Sequence, residues 1–487
     1  MADALTHPQL RHLLRRLVFT ATPEYERRLS GLDAGSVFDE LWSASAVASA
    51  GEPEPILPQP WRNTALAYRA LETEEREVRR AAQLEAHRRQ TAELRAAWLG
   101  HMIASGAPLR ENLVLFFHGF FGSSSTAVEI PQALEQRNAL MRSAAMTSMP
   151  ALLDQLVLDP AMMIQIGMDG HGPDRVSDRP AKLILEHWTV GPGGYTDADV
   201  GELSSALTGW SLGAAEGAET VSAAELDPAA SAIERRSGLN VRFDPSRHES
   251  GPKTLLGVTR EFDARSALRD LALRPATARR VGRALLEYFG VVDPEQRLAD
   301  RLASVYLETQ GDLRTLLRTV VTSSEMWSEA SRWSLIKSPV HLAVAACRQL
   351  EMANPPLSAL TGWLEAAGQA LFDTPNNGEG GWPGHDAWIT PPDRLAIRYQ
   401  LPHVLAGAPL ALGLAAPSAP RAASEQQAEP EAGTDRDSTT LAAETLLDRL
   451  DPAPGLALDT LERRAARYGG TLGFAGVVMA TPHYQLA

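Results

Sequence analysis

Apolar residues recur at helical spacing along most of this chain, and that periodicity limits its fold more than any other feature. Apolar helical patterns cover residues 112–121, 143–158 and 180–189, and they resume over 262–349. Ala and Leu are abundant, whereas aromatic residues make up only 6% of the sequence. This balance favours helices over strands. The sequence therefore predicts a mainly α-helical protein, built as a multi-helix bundle.

One region departs from the helical pattern. Short β-like pieces at residues 241–243 and 255–258 lie on either side of a polar loop. Two such pieces separated by turn-forming residues are typical of a β-hairpin. We therefore expect a small β-hairpin element near residues 240–258.

The division of the chain into units follows from its composition. Residues 416–440 are rich in Pro, Ala, Ser and Glu and contain almost no large apolar residue, which predicts a disordered linker. We therefore predict a helical body over residues 1–415. Beyond the linker, we expect C-terminal helices within residues 441–487 that pack back on this body.

A long polar segment precedes the most apolar part of the chain. Residues 64–102 contain no Pro and one Gly, Gly100, and their few apolar residues are spread among many charges. This pattern predicts one long helix, or two in line, that is too polar to be buried on all sides. We expect it to lie across the body of the protein or to mediate assembly with a partner protein.

The charge pattern argues against two classes of partner. The net charge is −14, from 46 basic and 60 acidic residues, so the chain repels nucleic acid and anionic lipid unless its basic residues are concentrated in a patch. The arginines at positions 76–89 are interleaved with glutamates, which is typical of a solvated helix face. No run of about 18 uncharged apolar residues occurs. The sequence predicts neither nucleic-acid binding nor membrane insertion.

The N-terminus and the cysteine content bear on location and on metal sites. The first residues lack the basic start and apolar stretch of a signal peptide, which predicts cytoplasmic residence, although a chain whose export signal had been removed would look the same. Cys347, the single cysteine, lies in an apolar run and is expected to be buried. One thiol excludes an intrachain disulfide and a Cys-rich zinc site.

Eight segments, taken in order, resemble those of a known family. They are residues 110–121, 159–162, 185–191 with 194–196, 206–210, 248–254, 337–339, 381–384 with 388–389, and 481–485. In this order they are similar to the bacterial family catalogued as domain of unknown function 1800. The resemblance extends from about Leu10 to Gln485, which implies one mainly helical unit. It implies no established reaction. Because members often lie beside genes for a second, exported family of unknown function, it also implies a partner protein.

The chain departs from the family pattern at polar positions. Family members usually carry His-Asn-His after a Phe-Trp pair, whereas this chain has His118, Gly119 and Phe120. A second polar motif retains a carboxylate as Asp178 and a cation at position 182, but it has an apolar residue at position 183. The His-Asp-x-Gly-x-Lys-Thr element is nearly intact at 248–254.

The polar residues of these segments are the candidate site residues. The candidate catalytic residues are His118, Glu186 and His248, and the candidate binding residues are Lys253, Glu249, Lys182, Asp178 and Trp382. The loop at 248–254 is the strongest of these regions, because polar residues on loops are less often placed there by packing. The sequence identifies no cofactor. It also contains no His-x-x-x-His or His-Glu-x-x-His spacing that would assign a metal site.

Each candidate also has a purely structural interpretation. A lone His in an apolar helix, such as His118, is more often a buried residue bonded to a backbone carbonyl. Glu186 needs a partner among its apolar neighbours, and Lys182 lies one helical turn before it. Trp382 in a Gly-rich loop more often anchors the loop to the body than contacts a ligand.

Two functional hypotheses remain open. The first is a binding or assembly protein that acts with a partner protein; it rests on the replaced polar positions Phe120 and Leu183 and on the long charged helix. The second is a hydrolase-like or metal-assisted enzyme with a pocket near His118, Glu186 and His248. Convergence of those side chains on a solvent-reachable cavity favours the enzyme, and separate, internally bonded side chains favour the binding protein.

Overall fold

Proline opens many of the helices in this protein. Pro23, Pro108, Pro131, Pro160 and Pro275 each occupy the first position of a helix, where the missing N–H costs nothing and the fixed φ suits the helix. The sequence pattern therefore sets both the apolar face and the start of these elements. The computed structural model describes residues 3–47, 73–170, 172, 176–214, 239–375, 381–390, 392–407, 448, 478–479 and 481–486.

Within these ranges the chain is mainly α-helical, which confirms the predicted fold class. The α-helices are α1 His7–Leu17, α2 Pro23–Leu29, α3 Ala34–Val47, α4 Thr73–Ala104, α5 Pro108–Phe121, α6 Ser125–Val128, α7 Pro131–Ala144, α8 Met149–Val157, α9 Pro160–Ile166, α10 Asp178–Leu183, α11 Asp197–Ala206, α12 Ala264–Ala272, α13 Pro275–Tyr288, α14 Arg297–Glu308, α15 Leu313–Val321, α16 Pro339–Gln349, α17 Leu357–Ala366, α18 Pro392–Arg398 and α19 Leu401–Leu405. Ile184–Trp188 forms a π-helix, and Pro245–Arg247, His385–Trp388 and Pro482–Gln485 form 3-10 helices.

Helix α5 lies at the centre of the core. It packs against α1, α3, α4, α7 and the π-helix, and nearly all of its side chains are buried. Apolar residues predominate in its sequence, and its polar residues at 110–112 and 118 are buried as well, as expected of a helix surrounded by others. The side chains of α5 therefore contact several other helices of the bundle at once.

The β structure comprises two antiparallel pairs among the described residues. β3 Lys253–Leu255 and β4 Val258–Arg260 form the hairpin that the sequence predicts in this region. The piece at 241–243 does not join it, contrary to our expectation. It belongs to β2 Leu239–Phe243, which pairs with β1 Trp210–Ala214. The alternating pattern identified the strand correctly, but it carries no information about a partner more than twenty residues away.

The long polar segment forms a single helix in its described part, α4. Its C-terminal half supplies core residues, including Leu94, Trp98 and Met102, and packs on α16 and α17. The opposite end is exposed, and 66% of Val78 is accessible to solvent. Residues 64–72 of the predicted segment lie outside the described ranges. No helix in the described part of the chain is both long and apolar enough to cross a membrane.

The chain terminus contacts the helical body. The backbone N–H of Lys337 donates to the Gln485 carbonyl at 2.9 Å, and Ile336 forms an antiparallel bridge with Leu486. Tyr484 is fully buried. The predicted linker, 416–440, and nearly all of the region assigned to C-terminal helices lie outside the described residues, so the proposed domain boundaries stay a prediction.

Cys347 is buried, as the sequence predicts. It lies on α16 with 1% of its surface exposed, and burial raises the pKa of its thiol to about 12. A thiol with such a pKa stays protonated and is a poor nucleophile near neutral pH. Cys347 is therefore a packing residue.

Candidate functional site

A cavity of about 680 Å³ opens beside α13. Its walls come from α5, from the turn that follows the π-helix, from the loop at 381–388 and from the start of α16. The volume falls in the range that binds a small organic molecule. We call this cavity the α13 cleft.

One face of α13 forms a wall of the cleft. The lining residues recur three or four positions apart and are Ala276, Arg279, Arg280, Arg283, Ala284, Glu287 and Tyr288. The opposite face carries Val281 and Leu285, which are buried, and α13 packs against α14. A helix with 3.6 residues per turn separates these two sets cleanly. Packing thus fixes the helix while its arginines remain on the cleft.

Of the three arginines on this wall, Arg280 has the most firmly fixed side chain. Its Nε donates to the His187 carbonyl at 2.9 Å, which anchors the guanidinium. Burial lowers the pKa of Arg280, and the nearby negative charge of Glu186 opposes that effect. Its two terminal nitrogens have no hydrogen-bond partner among the described residues. Arg280 therefore presents a partly desolvated positive charge with free donors.

The other two arginines lie in more solvated surroundings. Arg279 is 3.4 Å from Asp300, and both side chains are largely exposed. Arg283 donates to Gln296 Oε1 at 2.6 Å. These two contribute positive potential to the cleft, while Arg280 offers the fixed geometry.

Aromatic side chains form the facing wall. Phe116 and Phe120 come from α5, and Trp382 and Trp388 come from the loop at 381–388. Trp382 is held by a 3.2 Å hydrogen bond from its indole N–H to the Asp373 carbonyl. Gly381 lies so close to the Gly119 carbonyl that a Cβ there would collide with it. The glycines at 119 and 381 thus allow the loop to lie directly on α5.

At the end of the cleft near Tyr288, polar groups come from α16 and from the residues after α17. The Tyr288 hydroxyl donates to Asn112 Oδ1 at 2.7 Å. Ser338 is the N-cap of α16 and accepts from the His341 backbone N–H at 3.2 Å. Gln369 accepts from the Val340 backbone N–H through Oε1 at 2.9 Å. We call this end, with Tyr288, Ser338, His341 and Gln369, the Gln369 pocket.

His341 is a neutral group of this pocket. Burial, followed by the charges of Lys337 and Arg16, lowers its pKa to about 3. Its Nε2 has no hydrogen-bond partner in the part of the chain that the structure describes, and its ring lies 5.0 Å from Phe19 and 6.0 Å from Tyr288. An imidazole with such a pKa is uncharged at physiological pH.

Of the candidates from the sequence, Trp382 lines the cleft and His118 lies behind it. The rings of His118 and Trp382 are stacked, with centroids 5.3 Å apart. Trp98 and Phe372 cover other sides of the imidazole, and His118 Nδ1 has no hydrogen-bond partner among the described residues. Burial holds the pKa of His118 well below its usual value. Aromatic rings therefore surround this buried histidine.

Glu186 lies on the π-helix, and this changes its partner. It accepts a hydrogen bond from the Tyr195 hydroxyl at 3.2 Å, and the ion pair expected with Lys182 does not form. A π-turn shifts the residue four positions back off the shared face. Lys182 is exposed, and Asp178 begins α10 with a long 3.5 Å contact to Ser204.

The loop at 248–254 is bonded to itself. Lys253 is buried, and its Nζ donates to the carbonyls of Glu249 and Gly251 at 2.6 and 3.3 Å. Gly251 has a φ of +104°, which a side chain would disfavour. His248 Nδ1 lies 3.1 Å from the Thr208 carbonyl. Lys253 thus closes the loop through its own carbonyls, and its role in ligand binding stays a prediction.

The three candidate catalytic residues do not share a pocket. His118 contacts aromatic rings, Glu186 contacts Tyr195, and His248 contacts Thr208. None of the three is among the residues that line the α13 cleft. Across the ranges that the structure describes, no cluster of three or more His, Cys, Asp or Glu side chains is placed to hold a metal ion. The α13 cleft is therefore a different cavity from the pocket expected near these three residues, which stays a prediction.

Sequence reasoning missed the arginines of α13. The signal is present, because the arginines at 279, 280 and 283 are flanked at helical spacing by Ala276 and Ala284. Small residues beside arginines leave room on a helix face, whereas a solvated face usually interleaves both signs of charge. Without knowledge of the facing aromatic wall, this stripe resembles any other exposed helix surface.

Comparison with known proteins agrees with the resemblance described above. Neither a curated protein nor a solved structure matches the chain. Four of the eight segments that carry the resemblance, 110–121, 185–191, 337–339 and 381–389, supply walls of the α13 cleft. The family model described as "Protein of unknown function (DUF1800)" matches residues 12–486, so the chain belongs to the DUF1800 family.

Proposed function

We propose that this protein is a binding protein whose α13 cleft takes a small organic anion. Arg280 carries the proposal, because its guanidinium is anchored at Nε and partly desolvated, and its terminal nitrogens have no partner among the described residues. A planar guanidinium with two free donors suits the two oxygens of a carboxylate or a phosphate group. The charge is in place before the ligand arrives.

The facing wall indicates the rest of the ligand. Phe116, Phe120, Trp382 and Trp388 line the same cleft as the arginines, and aromatic rings contribute large apolar contact areas. Binding sites for small molecules combine such walls with a few fixed polar groups. The proposed ligand is therefore an acid with an apolar, planar body. The chain as a whole is strongly acidic, whereas three arginines line this cleft.

The test is calorimetric titration with biphenyl-4-carboxylate, a planar acid of this class. Replacing Arg280 by Met should weaken binding by about tenfold to a hundredfold, the range for loss of a hydrogen bond to a charged group. Arg297→Met is the matched control, because Arg297 is exposed and lies outside the cleft, and it should leave affinity unchanged. Equal affinity of the wild type and Arg280→Met would refute the proposal.

A second variant should act in the opposite direction. Glu186 places its negative charge close enough to Arg280 to influence the pKa of that guanidinium. Glu186→Gln removes the competing charge, and we expect an affinity gain of about threefold for the same acid, with less gain at high salt. Opposite changes in affinity for Arg280→Met and Glu186→Gln would indicate an electrostatic binding site, because a general loss of structure would weaken binding in both variants.

The partner protein proposed from the sequence has one supporting observation. Val78, on the exposed end of α4, is the most accessible of the large apolar side chains among the described residues, with 66% of its surface exposed. We propose that this end of α4 packs on a helix of the product of a neighbouring gene. Co-purification after co-expression should be lost with Val78→Glu and kept with Val258→Glu, which alters an exposed valine on β4. Equal loss or equal retention would contradict it.

The enzyme alternative lacks comparable support. A hydrolase-like or metal-assisted reaction would need His118, Glu186 and His248 around one substrate, but each contacts different neighbours. Catalytic groups have to lie within hydrogen-bonding reach of one reacting centre. Stoichiometric transition metal in protein purified without chelator would restore this alternative.

A further inference from the structure

We propose that the ligand of the α13 cleft is an elongated organic acid whose far end carries a hydrogen-bond acceptor, recognised by the Gln369 amide. This inference rests on the proposed function and specifies the second end of the ligand. It follows from the orientation of one buried amide, from the charges around it and from its separation from Arg280.

The Gln369 amide has a fixed orientation. Only 3% of Gln369 is exposed, and its Oε1 accepts the backbone N–H of Val340 at 2.9 Å. Because an N–H requires an acceptor, the oxygen must face Val340 and the NH₂ group must face away from it. The amide cannot turn over without losing this bond. Gln369 therefore presents donors, and only donors, beyond Val340.

The NH₂ group is the part of the Gln369 side chain that can still donate a hydrogen bond. It has no hydrogen-bond partner among the described residues, and Gln369 lines the cleft. The backbone is also held, because Gln369 N–H donates to the Leu364 carbonyl at 2.8 Å. A buried donor is satisfied in nearly all proteins by protein, water or ligand. At the wall of an open cleft, a ligand oxygen meets this need.

The neighbouring groups favour an acceptor at the same place. The Ser338 hydroxyl is already engaged with His341, because it accepts the backbone N–H and lies 3.2 Å from Nδ1. Lys337 and Arg16 add positive charge behind His341. A carbonyl or carboxylate oxygen is stabilised by that potential, whereas an ammonium or amine donor is not.

The distance between the two recognition groups requires an elongated ligand. Eight residues separate Arg280 from Tyr288 on α13, which corresponds to about 12 Å along the helix axis. Tyr288 lies beside His341 in the Gln369 pocket, with ring centroids 6.0 Å apart. An inorganic anion such as phosphate cannot contact both ends at once. A rigid aromatic acid of biphenyl length has the reach, and the aromatic side chains line the same cleft.

The experiment compares three acids on the unaltered full-length protein. They are biphenyl-4-carboxylate, its 4′-acetyl derivative, which ends in an acceptor, and its 4′-amino derivative, which ends in a donor. We expect the acetyl acid to bind about tenfold more tightly than the parent acid, the gain from one added hydrogen bond in a desolvated site. The 4′-amino derivative should bind no more tightly than biphenyl-4-carboxylate itself. Equal affinities for the acetyl and amino derivatives would overturn the inference.

Two variants then assign the preference to Gln369. Gln369→Met should remove the advantage of about tenfold that the acetyl derivative has over the parent acid. Gln369→Glu can still accept from Val340 but presents an oxygen to the ligand, so the preference should reverse towards the amino derivative. An acetyl advantage that persists in both variants would refute the role of Gln369.

The outcomes also separate this inference from the proposed function. If the parent acid binds in an Arg280-dependent manner without any acetyl advantage, the anion site stands and the inference fails. If none of the three acids binds, or if Arg280→Met binds them as tightly as the wild type does, the proposed function fails as well.

Discussion

Replacing Glu111 by Ala is expected to lower the free energy of unfolding by about 3 to 5 kcal/mol, the usual cost of removing one partner from a buried ion pair. Glu111 is fully buried on α5. Its carboxylate accepts from Arg142 Nε at 2.7 Å and from Arg142 NH2 at 3.0 Å. It also accepts from the Trp98 indole at 3.3 Å. Without it, the Arg142 guanidinium loses its counter-charge in the core. Urea unfolding followed by circular dichroism measures the loss.

Two controls test the cause of this loss. The double variant Glu111→Leu with Arg142→Met removes both charges together, and it should be more stable than Glu111→Ala, because no buried charge is left alone. Glu295→Gln breaks an exposed pair with Arg297 and should change stability by less than about 0.5 kcal/mol. If Glu111→Ala lowers the free energy of unfolding no more than Glu295→Gln does, the buried ion pair does not contribute the expected stability.

The same carboxylate should make stability depend on pH. Burial alone would raise the pKa of Glu111, but the Arg142 charge and the hydrogen bonds from His101 and Arg142 outweigh it, and the pKa falls to about 2. The unfolded chain therefore binds this proton more readily than the folded chain. The stabilisation is complete above the ordinary Glu pKa and is lost as the pH falls towards 2. Glu111→Gln should have a flatter profile across this window.

Tyr484→Ala should cost about 3 to 5 kcal/mol, because it removes a fully buried aromatic side chain and leaves a cavity. The Tyr484 ring has no exposed surface. Its hydroxyl donates to Gln349 Oε1 at 2.7 Å, and its carbonyl accepts from Lys337 Nζ at 2.8 Å. Thermal unfolding measures the effect. We also expect faster cleavage of the C-terminus by protease, since the docked end would open more often.

A graded variant identifies the source of this effect. Tyr484→Phe keeps the ring and loses only the hydroxyl, so about 1 to 2 kcal/mol should be lost. His403→Ala alters a side chain on the exposed part of α19 and should leave stability and cleavage nearly unchanged. Wild-type protease resistance in Tyr484→Ala would contradict an anchoring role for this residue.

The fold class was predictable because it depends on local patterns. The apolar periodicity at 262–349 acts within a few turns of the chain, and it predicted helices correctly. Pairing between β1 and β2 was not predictable, since the sequence of 239–243 does not specify a partner strand. The π-helix at Ile184–Trp188 was missed for a related reason. Its register depends on packing against α5, not on its own residues.

The candidate site was harder to predict than the fold. Sequence reasoning selected polar residues in the resembling segments, and it identified Trp382 on the cleft wall and Glu186 near Arg280. It assigned Lys253 to ligand binding, whereas in the folded loop the Lys253 amine donates a hydrogen bond to a carbonyl of the same loop. Hydrogen bonds between side chain and backbone depend on turns that residue type alone does not determine. The cleft itself is produced by segments far apart in sequence.

The two-sided construction of α13 has a consequence for how this protein can change over generations. Residues that hold the helix, such as Val281 and Leu285, point away from those that face the cleft, such as Arg280 and Arg283. Mutations on the cleft side therefore carry little penalty for folding, and selection can act on them freely. Relatives with the same scaffold are expected to differ first along this stripe, each adapted to its own compound.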